Sequence, residues 1–398
     1  MKYQSARSET STLLGSTALY CAGSLIFSFM PVYLGDVGRR LHLSSAALGV
    51  LSAAELWSIA IASLTGPLWI NRFNWRLLAR IGAVTSIFGQ LGSLALTDFN
   101  LLLIARIITG LGGEGVLFAL SYSLIAKTRN VERSLGVAYA MSIAGGTICL
   151  YASPEMDRAL GSISVLAALA VLSGVSLVVS FVVPINSGGS APDDTYRAMT
   201  ASSTTWRARA ALALVGQMIW YAGVGGFWSF TEQVAADNAI SSTRIAQAMG
   251  IGTAAALIGT ILAAGMSNRF GRAFPIVLST ILIGGAIFGF TSSSEFVSIT
   301  VELALFNIFW ACGNIYITAT ACSFDTRGTI AVLLPASPMI GMALGTFVLG
   351  NCIRDLGIGT TPWIAGGFLA NGMFLVLLST FMRKHDLAPN VVKALESD

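Results

Sequence analysis

The sequence is poor in charged residues. Lys, Arg, Asp and Glu make up 11% of its 398 residues, against about 25% in an average soluble domain, whereas 55% of the residues are hydrophobic and the mean hydropathy is +0.75. Such a chain has too few polar side chains to cover the surface of a soluble protein. It is therefore predicted to be an integral membrane protein, and its net charge of +4 gives no reason to expect a nucleic acid partner.

Residues that carry enzyme or metal chemistry are also scarce. The two histidines, His42 and His385, lie outside the long apolar runs. The five cysteines lie within or at the ends of such runs without paired spacing, which argues against a disulfide framework or a metal site. No G-x-x-x-x-G-K loop occurs, so ATP is not expected to drive this protein. The sequence predicts neither a cofactor nor an enzyme active site.

Apolar runs of membrane-spanning length fill most of the chain. A helix of about 20 apolar residues crosses a bilayer, and twelve runs meet that length: 12–34, 45–70, 81–97, 100–126, 134–154, 161–185, 210–231, 243–267, 273–293, 296–320, 329–351 and 360–382. One polar stretch divides them six and six. We predict an all-α membrane protein with a six-helix bundle at 1–185, a linker at 186–209 and a second six-helix bundle at 210–398.

The basic residues predict the orientation of the chain in the membrane. If both termini and the linker are cytoplasmic, 17 of the 23 Lys and Arg residues lie on the cytoplasmic side and five on the other. Cytoplasmic loops of membrane proteins carry such an excess. The short loops suggest a bacterial inner membrane, with the lipid bilayer as the surrounding partner.

One short basic turn occurs twice, 197 residues apart. The segment "NRFNWR" at 71–76 returns as "NRFGR" at 268–272, and at the same spacing "LSS" at 43–45 matches "ISS" at 240–242. These matches bracket two apolar runs of 25 residues. The two halves of the chain are therefore predicted to be structural duplicates. This architecture is typical of secondary transporters, which bind substrate near the midplane between the repeats.

Both turns and span 4 resemble signatures of the major facilitator superfamily. "GPLWINRFNWR" and "GMSNRFGR" follow the family's pattern after span 2, with Asn71 and Asn268 where the family has Asp and Asn74 where it has Gly. "RIITGLGGEG" resembles the Arg-x-x-x-Gly-x-Gly pattern of span 4, whereas the Gly-Pro antiporter signature of span 5 is missing. The resemblance implies two pseudo-symmetric bundles and a cytoplasmic latch of the outward-open state. The latch residues would be Asn71, Arg72, Arg76, Asn268, Arg269 and Arg272.

Ionisable residues within the spans are candidates for proton coupling, because each costs about 2.5–3.5 kcal/mol to place there by insertion scales. A carboxyl group in a low-dielectric site can bind and release a proton near neutral pH. Glu114 is the first choice, and Arg106 could couple the proton, hold substrate or brace its helix. On an ideal α-helix these two lie about 12 Å apart along the axis and roughly 80° apart around it. We therefore expect them to have different partners. The candidate set is Glu55, Arg106, Glu114 and Glu302.

Polar and aromatic residues form stripes on three spans. Because polar groups facing lipid are costly, the stripes should face protein or a water-filled cavity. Amides mixed with large aromatic side chains suit a flat or amphipathic organic ligand, and the alternative is packing between the bundles. The candidate substrate-binding residues are Tyr20, Ser24 and Phe27 on span 1, Gln217, Tyr221, Trp228 and Glu232 on span 7, and Asn307, Trp310 and Asn314 on span 10.

The sequence thus favours a proton-coupled secondary transporter that works as a monomer. It would move a small organic solute, aromatic or amphipathic, by alternating access. The missing antiporter signature favours uptake, whereas three glutamates at depth against one arginine favour the alternative, a multidrug efflux pump with proton antiport. A transporter-like receptor or assembly factor could dispense with buried charges, but Arg106 and Glu114 are present.

Overall fold

The structure, a computed structural model, describes residues 2–70, 72–128, 131–160, 164–183, 204–266, 269–324 and 336–386. Every regular element in these ranges is helical. The helices are α1 (Lys2–Leu41), α2 (Ser45–Trp69), α3 (Trp75–Ala95), α4 (Phe99–Ile125), α5 (Val131–Leu160), α6 (Ser164–Val179), α7 (Thr204–Asp237), α8 (Ser242–Met266), α9 (Ala273–Ser292), α10 (Phe296–Cys322), α11 (Ala336–Leu356) and α12 (Thr361–Asp386). The predicted all-helical fold is confirmed.

Most of these helices can span a membrane. Eleven are long and apolar enough, and the described part of α6 contains a shorter apolar stretch, Val165–Val179. Their outer faces carry exposed apolar side chains such as Phe88, Ile148 and Ile261, which are the surfaces that contact lipid. The protein is a multi-pass integral membrane protein.

Some helix bounds differ from the predicted spans. The first helix is longer than the predicted 12–34 at both ends, because polar residues continue the helix beyond the apolar run. The third helix begins at Trp75 rather than at 81, because the side chain of Asn74 accepts a hydrogen bond from the Arg76 amide and so caps its first turn. Asn74 therefore has a structural role where the family pattern has glycine.

The repeat extends to the backbone of two corners. His42 and Ala239, which are 197 residues apart, both have positive φ angles, 52° and 58°. At each corner the next amide bonds a carbonyl five residues back, in the Schellman pattern that ends a helix. Ser44 and Ser241 then cap the helices that follow, which both have 25 residues. The α1–α2 and α7–α8 corners are thus built alike.

The helices pack in two groups, called here the N half (α1–α6) and the C half (α7–α12). The halves meet where α2 packs on α11, α5 on α8 and α1 on α7. The end of the molecule at which α1 ends and α2 begins is called the Arg39 end, and the opposite end the linker end.

Glycines bring the halves together closely near the Arg39 end. A Cβ atom on Gly49 would lie 2.6 Å from the Thr346 carbonyl oxygen, and one on Gly350 would lie 2.6 Å from that of Ser45. A hydrogen bond from Ser45 Oγ to Gln233 Oε1 (3.2 Å) and the ion pair between Arg39 and Glu232 also join the halves there. This end of the interface is closed in the conformation described.

Candidate functional site

A fully buried polar network lies inside the N half. The Arg106 guanidinium binds a carboxylate oxygen of Glu55 on α2 and donates a hydrogen bond to Gln90 Oε1 on α3 (2.8 Å). The Gln90 amide in turn donates to Glu114 Oε1 (2.7 Å), which lies 3.6 Å from the nearest Arg106 nitrogen. The Tyr33 ring lies over the guanidinium, with the Arg106 Cζ atom 5.1 Å from the ring centroid. None of the three charged side chains is exposed.

The expectation that Arg106 and Glu114 have different partners is wrong. They lie on one helix, but Thr109–Glu114 forms a π-helical turn, in which the chain contains one more residue than an α-turn would. One residue carries about 100° of rotation, so the offset between the two side chains falls from roughly 80° to roughly 20°. The π-turn therefore directs both side chains toward Gln90.

Glycines around the π-turn let the neighbouring helices approach. A Cβ on Gly110 would lie 2.7 Å from the Glu55 carbonyl oxygen on α2, and one on Gly113 would lie 2.9 Å from the Ser86 backbone on α3. The two helices that supply partners to Arg106 are thus held against α4.

The network has two carboxyl groups for one guanidinium. Glu55 Oε2, Glu114 Oε2 and Arg106 Nε are buried and have no hydrogen-bond partner among the described residues. With both carboxyl groups ionised, the network would carry a net charge of −1 in a region without solvent, which is costly. One proton bound to either carboxyl group makes it neutral.

Glu302 does not belong to this network. Its half-buried side chain lies on α10, in the C half, and packs against Gly289 of α9. The four residues predicted for proton coupling therefore fall into one group of three and one separate residue.

A second cluster, called the tyrosine cluster, lies where the halves face each other. It consists of Tyr20 on α1, Tyr122 on α4, Tyr139 on α5 and Tyr221 on α7. The Tyr20 and Tyr122 rings are 5.8 Å apart. Tyr221 interacts electrostatically with Tyr139 and Tyr122 across the interface. Four phenol groups from both halves thus lie close to one another.

The C half adds amides and indoles to the tyrosine cluster. The Trp310 indole lies near the Tyr221 hydroxyl, and its N–H has no hydrogen-bond partner among the described residues. Gln217 donates a hydrogen bond to Thr318 (3.0 Å) and accepts one from Ser337 (3.2 Å). Polar side chains of spans 7 and 10 therefore meet, and Trp310 of span 10 lies beside Tyr221 of span 7.

Other predicted substrate residues bind protein groups. The Trp228 indole donates to the Phe27 carbonyl across the interface (2.9 Å) and stacks on Phe306. Asn307 donates to a carbonyl of its own helix (2.9 Å). These contacts agree with the alternative of packing for Trp228 and Asn307.

The shorter polar side chains of the stripes also have protein partners. Ser24 shares a hydrogen bond with Ser142 of α5 (3.0 Å), and the Asn314 side-chain oxygen accepts one from Thr318 (3.2 Å). Both hydrogen bonds join side chains to side chains.

Glu232 is separated from the substrate stripe. It lies at the Arg39 end and binds Arg39, which also binds Asp36 one turn back on α1. In this ion pair between the halves the Glu232 side chain is buried, at 4% exposed, whereas the Arg39 side chain is 55% exposed.

Two of the predicted latch residues, Asn71 and Asn268, lie outside the described residues. Arg72 and Arg269 are exposed. Arg76 donates to the Val183 carbonyl within the N half (2.5 Å), and Arg272 is the N-cap residue of α9. The described part of the first turn thus ties α3 to the segment that follows α6 in the N half.

Sequence reasoning missed several residues of these clusters. Gln90, which bridges Arg106 and Glu114, is a lone amide in a predicted span. The rule that a polar side chain within a span should face protein or water, which was applied to spans 7 and 10, would have selected it too. Tyr122 and Tyr139 are single polar aromatics in spans 4 and 5 without a stripe around them. No simple signal marks Tyr33, because a tyrosine near a membrane surface is common.

The chain resembles known transporters. A family model of the Major Facilitator Superfamily matches residues 12–331. Two similar solved structures are a mutant of the nucleoside transporter NupG (TM-score 0.74, 13% identity, 94% of this chain and 99% of that one) and a D-xylose-proton symporter (TM-score 0.67, 16% identity, 94% and 96%). No curated protein sequence matches significantly.

Proposed function

The chain belongs to the major facilitator superfamily and is a transporter, not an enzyme, and from this premise we propose that it is a proton-coupled secondary active transporter. It moves a small organic solute by alternating access between the N half and the C half. The bundles at 1–185 and 210–398 act as the two moving units, joined by the linker at 186–209.

The observation that carries proton coupling is the charge imbalance of the buried network. Two carboxyl groups share one guanidinium, so the network is neutral only with one bound proton. A change of conformation that lets water reach Glu55, Arg106 and Glu114 stabilises the ionised carboxylates, and a change that excludes water favours uptake of the proton. Glu114 is proposed as the group that gains and loses the proton, with Arg106 and Gln90 as its positioning partners.

The tyrosine cluster is proposed as the solute site. Phenol and indole rings stack on flat ligands, and hydroxyl and amide groups bond to polar substituents. The four tyrosines, Gln217 and Trp310 carry no formal charge, so a charged ligand would lose its water there without gaining a counter-ion. We therefore propose an uncharged, ring-containing solute with hydrogen-bonding groups. Nucleosides and D-xylose, after which the two structurally similar transporters are named, are ring compounds of that kind.

The proposed orientation has both termini and the linker in the cytoplasm of a bacterial cell. The Arg39 end then faces outside, and the conformation described is closed toward the outside. The two basic turns, at 71–76 and 268–272, lie at the cytoplasmic end, where they are proposed to latch the halves when the Arg39 end opens.

The first experiment identifies a ligand. Purified protein is screened by thermal shift with uridine, D-xylose and a matched set of benzamide, benzoate and benzamidine, which share a ring and differ in charge. A ligand that binds the folded state stabilises it by an amount that grows with the logarithm of the ligand concentration above Kd. Stabilisation by uridine, D-xylose or benzamide is expected. Stabilisation by benzamidine and unrelated lipophilic cations alone would instead indicate a multidrug exporter.

The second experiment tests the coupling group in proteoliposomes with the radiolabelled ligand. We expect Glu114→Gln to abolish accumulation driven by a pH gradient while counterflow exchange persists. Glu155→Gln, at an exposed site paired with Arg158, should retain both activities and serves as the matched control. Accumulation at the wild-type rate in Glu114→Gln would exclude Glu114 as the coupling site.

A further inference from the structure

A small cavity lies between α1 and α6 near the Arg39 end. Its volume is about 10 Å³, and it is lined by Tyr33, Asp36, Val37, Arg40, Val165 and Leu166. This is about the space that one water molecule requires.

Three buried polar atoms at this cavity have no hydrogen-bond partner in the described part of the chain. They are the Tyr33 hydroxyl, Asp36 Oδ2 and Arg40 Nε. Buried polar groups are nearly always hydrogen-bonded to protein or to ordered water. A buried water molecule has two to four polar partners, and this cavity offers three, a hydroxyl, a carboxylate oxygen and a guanidinium N–H.

Tyr33 connects the cavity to the buried network. Its hydroxyl interacts electrostatically with Arg40 at the cavity, and with Arg106 and Glu114 in the network. Its ring covers the Arg106 guanidinium. Glu55, Gln90 and Arg106 lie in the parts of their helices that are nearer to the Arg39 end. These three side chains therefore lie nearer to the Arg39 end than to the linker end, and Glu114 lies near the middle of α4.

We propose that a water molecule occupies the cavity and that protons reach Glu114 from the Arg39 end through Asp36, this water and the Tyr33 hydroxyl. The inference rests on the proposed proton coupling. A proton on Asp36 passes to the water, and the water passes one of its own to the Tyr33 oxygen. Tyr33 Oη and Glu114 Oε2 are both buried and make no hydrogen bond to the described residues, so the Tyr33 hydroxyl proton moves on to the Glu114 carboxylate when the two come within hydrogen-bond reach. Water and tyrosine then end neutral and Asp36 is left ionised.

Asp36 also links this route to the interface between the halves. It shares Arg39 with Glu232, and it interacts electrostatically with Arg40 and Asp157 as well. When the Arg39 end opens, Glu232 leaves with the C half and Arg39 keeps Asp36 as its acidic partner. Opening of the Arg39 end therefore strengthens the ion pair between Arg39 and the Asp36 carboxylate. This favours release of the Asp36 proton toward the water.

The test measures how fast a buried protonated carboxyl group exchanges with D₂O. Infrared spectra of purified protein in lipid are recorded after a change from H₂O to D₂O, and Glu114→Gln identifies the carbonyl band of Glu114. Tyr33→Phe keeps the ring over Arg106 and removes the hydroxyl. Asp36→Asn removes the first carboxyl group. Tyr151→Phe, at a tyrosine that is 53% exposed on α5, is the matched control.

We expect Tyr33→Phe and Asp36→Asn each to slow exchange of the Glu114 band by at least about tenfold, with Tyr151→Phe at the wild-type rate. Wild-type exchange in both Tyr33→Phe and Asp36→Asn would overturn the route while leaving proton coupling intact. If no carbonyl band disappears in Glu114→Gln at any pH, Glu114 holds no proton, and both the route and the proposed coupling group are overturned.

Discussion

Removal of Arg106 should destabilise the protein strongly. Arg106→Met keeps the length of the side chain but removes the only cation of the buried network, so Glu55 and Glu114 lose their counter-ion. Breaking a buried ion pair by removing one partner costs about 3–5 kcal/mol, which lowers the ratio of folded to unfolded protein by roughly a hundredfold to several thousandfold. The free energy of unfolding can be measured by SDS titration in mixed micelles, followed by circular dichroism.

Two further variants make this measurement specific. Arg158→Met removes one partner of a pair whose side chains are 66% and 70% exposed, so a loss below about 0.5 kcal/mol is expected. The double variant Glu55→Met/Arg106→Met replaces the pair with apolar side chains and leaves Glu114 bonded to Gln90. It should recover at least half of the loss. The reasoning is refuted if Arg106→Met costs less than about 1 kcal/mol, or if the double variant is less stable than Arg106→Met.

Three other predictions concern the solute site and the interface between the halves. Tyr221→Phe should weaken binding of the identified ligand by about 1 kcal/mol, measured by titration, whereas Tyr151→Phe should not. Gly49→Val places side-chain atoms against the Thr346 carbonyl and should lengthen the distance between spin labels at positions 155 and 354 in a cysteine-free background. Gly92→Val, where a Cβ meets nothing within 4 Å, should leave that distance unchanged. Glu232→Gln removes the charged partner of Arg39 and should broaden the same distance distribution toward longer values, and an unchanged distribution would contradict a role in closing this end.

The helices could be predicted from the sequence because their signal is repeated in every span. Each apolar run is long enough by itself to cross a bilayer, and the linker at 186–209 has a distinct composition. The exact ends were harder to predict, because they depend on single side chains. Asn74 caps the start of α3 by accepting one hydrogen bond, and a hydropathy profile does not reveal such a cap.

The sites could be predicted only in part. Buried charges are rare in spans, so Glu55, Arg106 and Glu114 were identified by that criterion, but their pairing depends on a π-turn that no periodicity rule anticipates. The tyrosine cluster requires contacts among four helices from both halves. Its members on α4 and α5 have no neighbours in sequence that would have marked them.

The glycine contacts between α2 and α11 have a consequence for the kinetics of the conformational cycle. Where Gly49 and Gly350 face backbone, no side chains interlock, so separating the halves there requires no change of rotamer. The activation barrier at this end then depends mainly on the Ser45–Gln233 hydrogen bond and the Arg39–Glu232 ion pair, in which Arg39 is 55% exposed and Glu232 is 4% exposed. Mobile ions screen exposed charges. The rate at which this end opens should therefore increase with ionic strength.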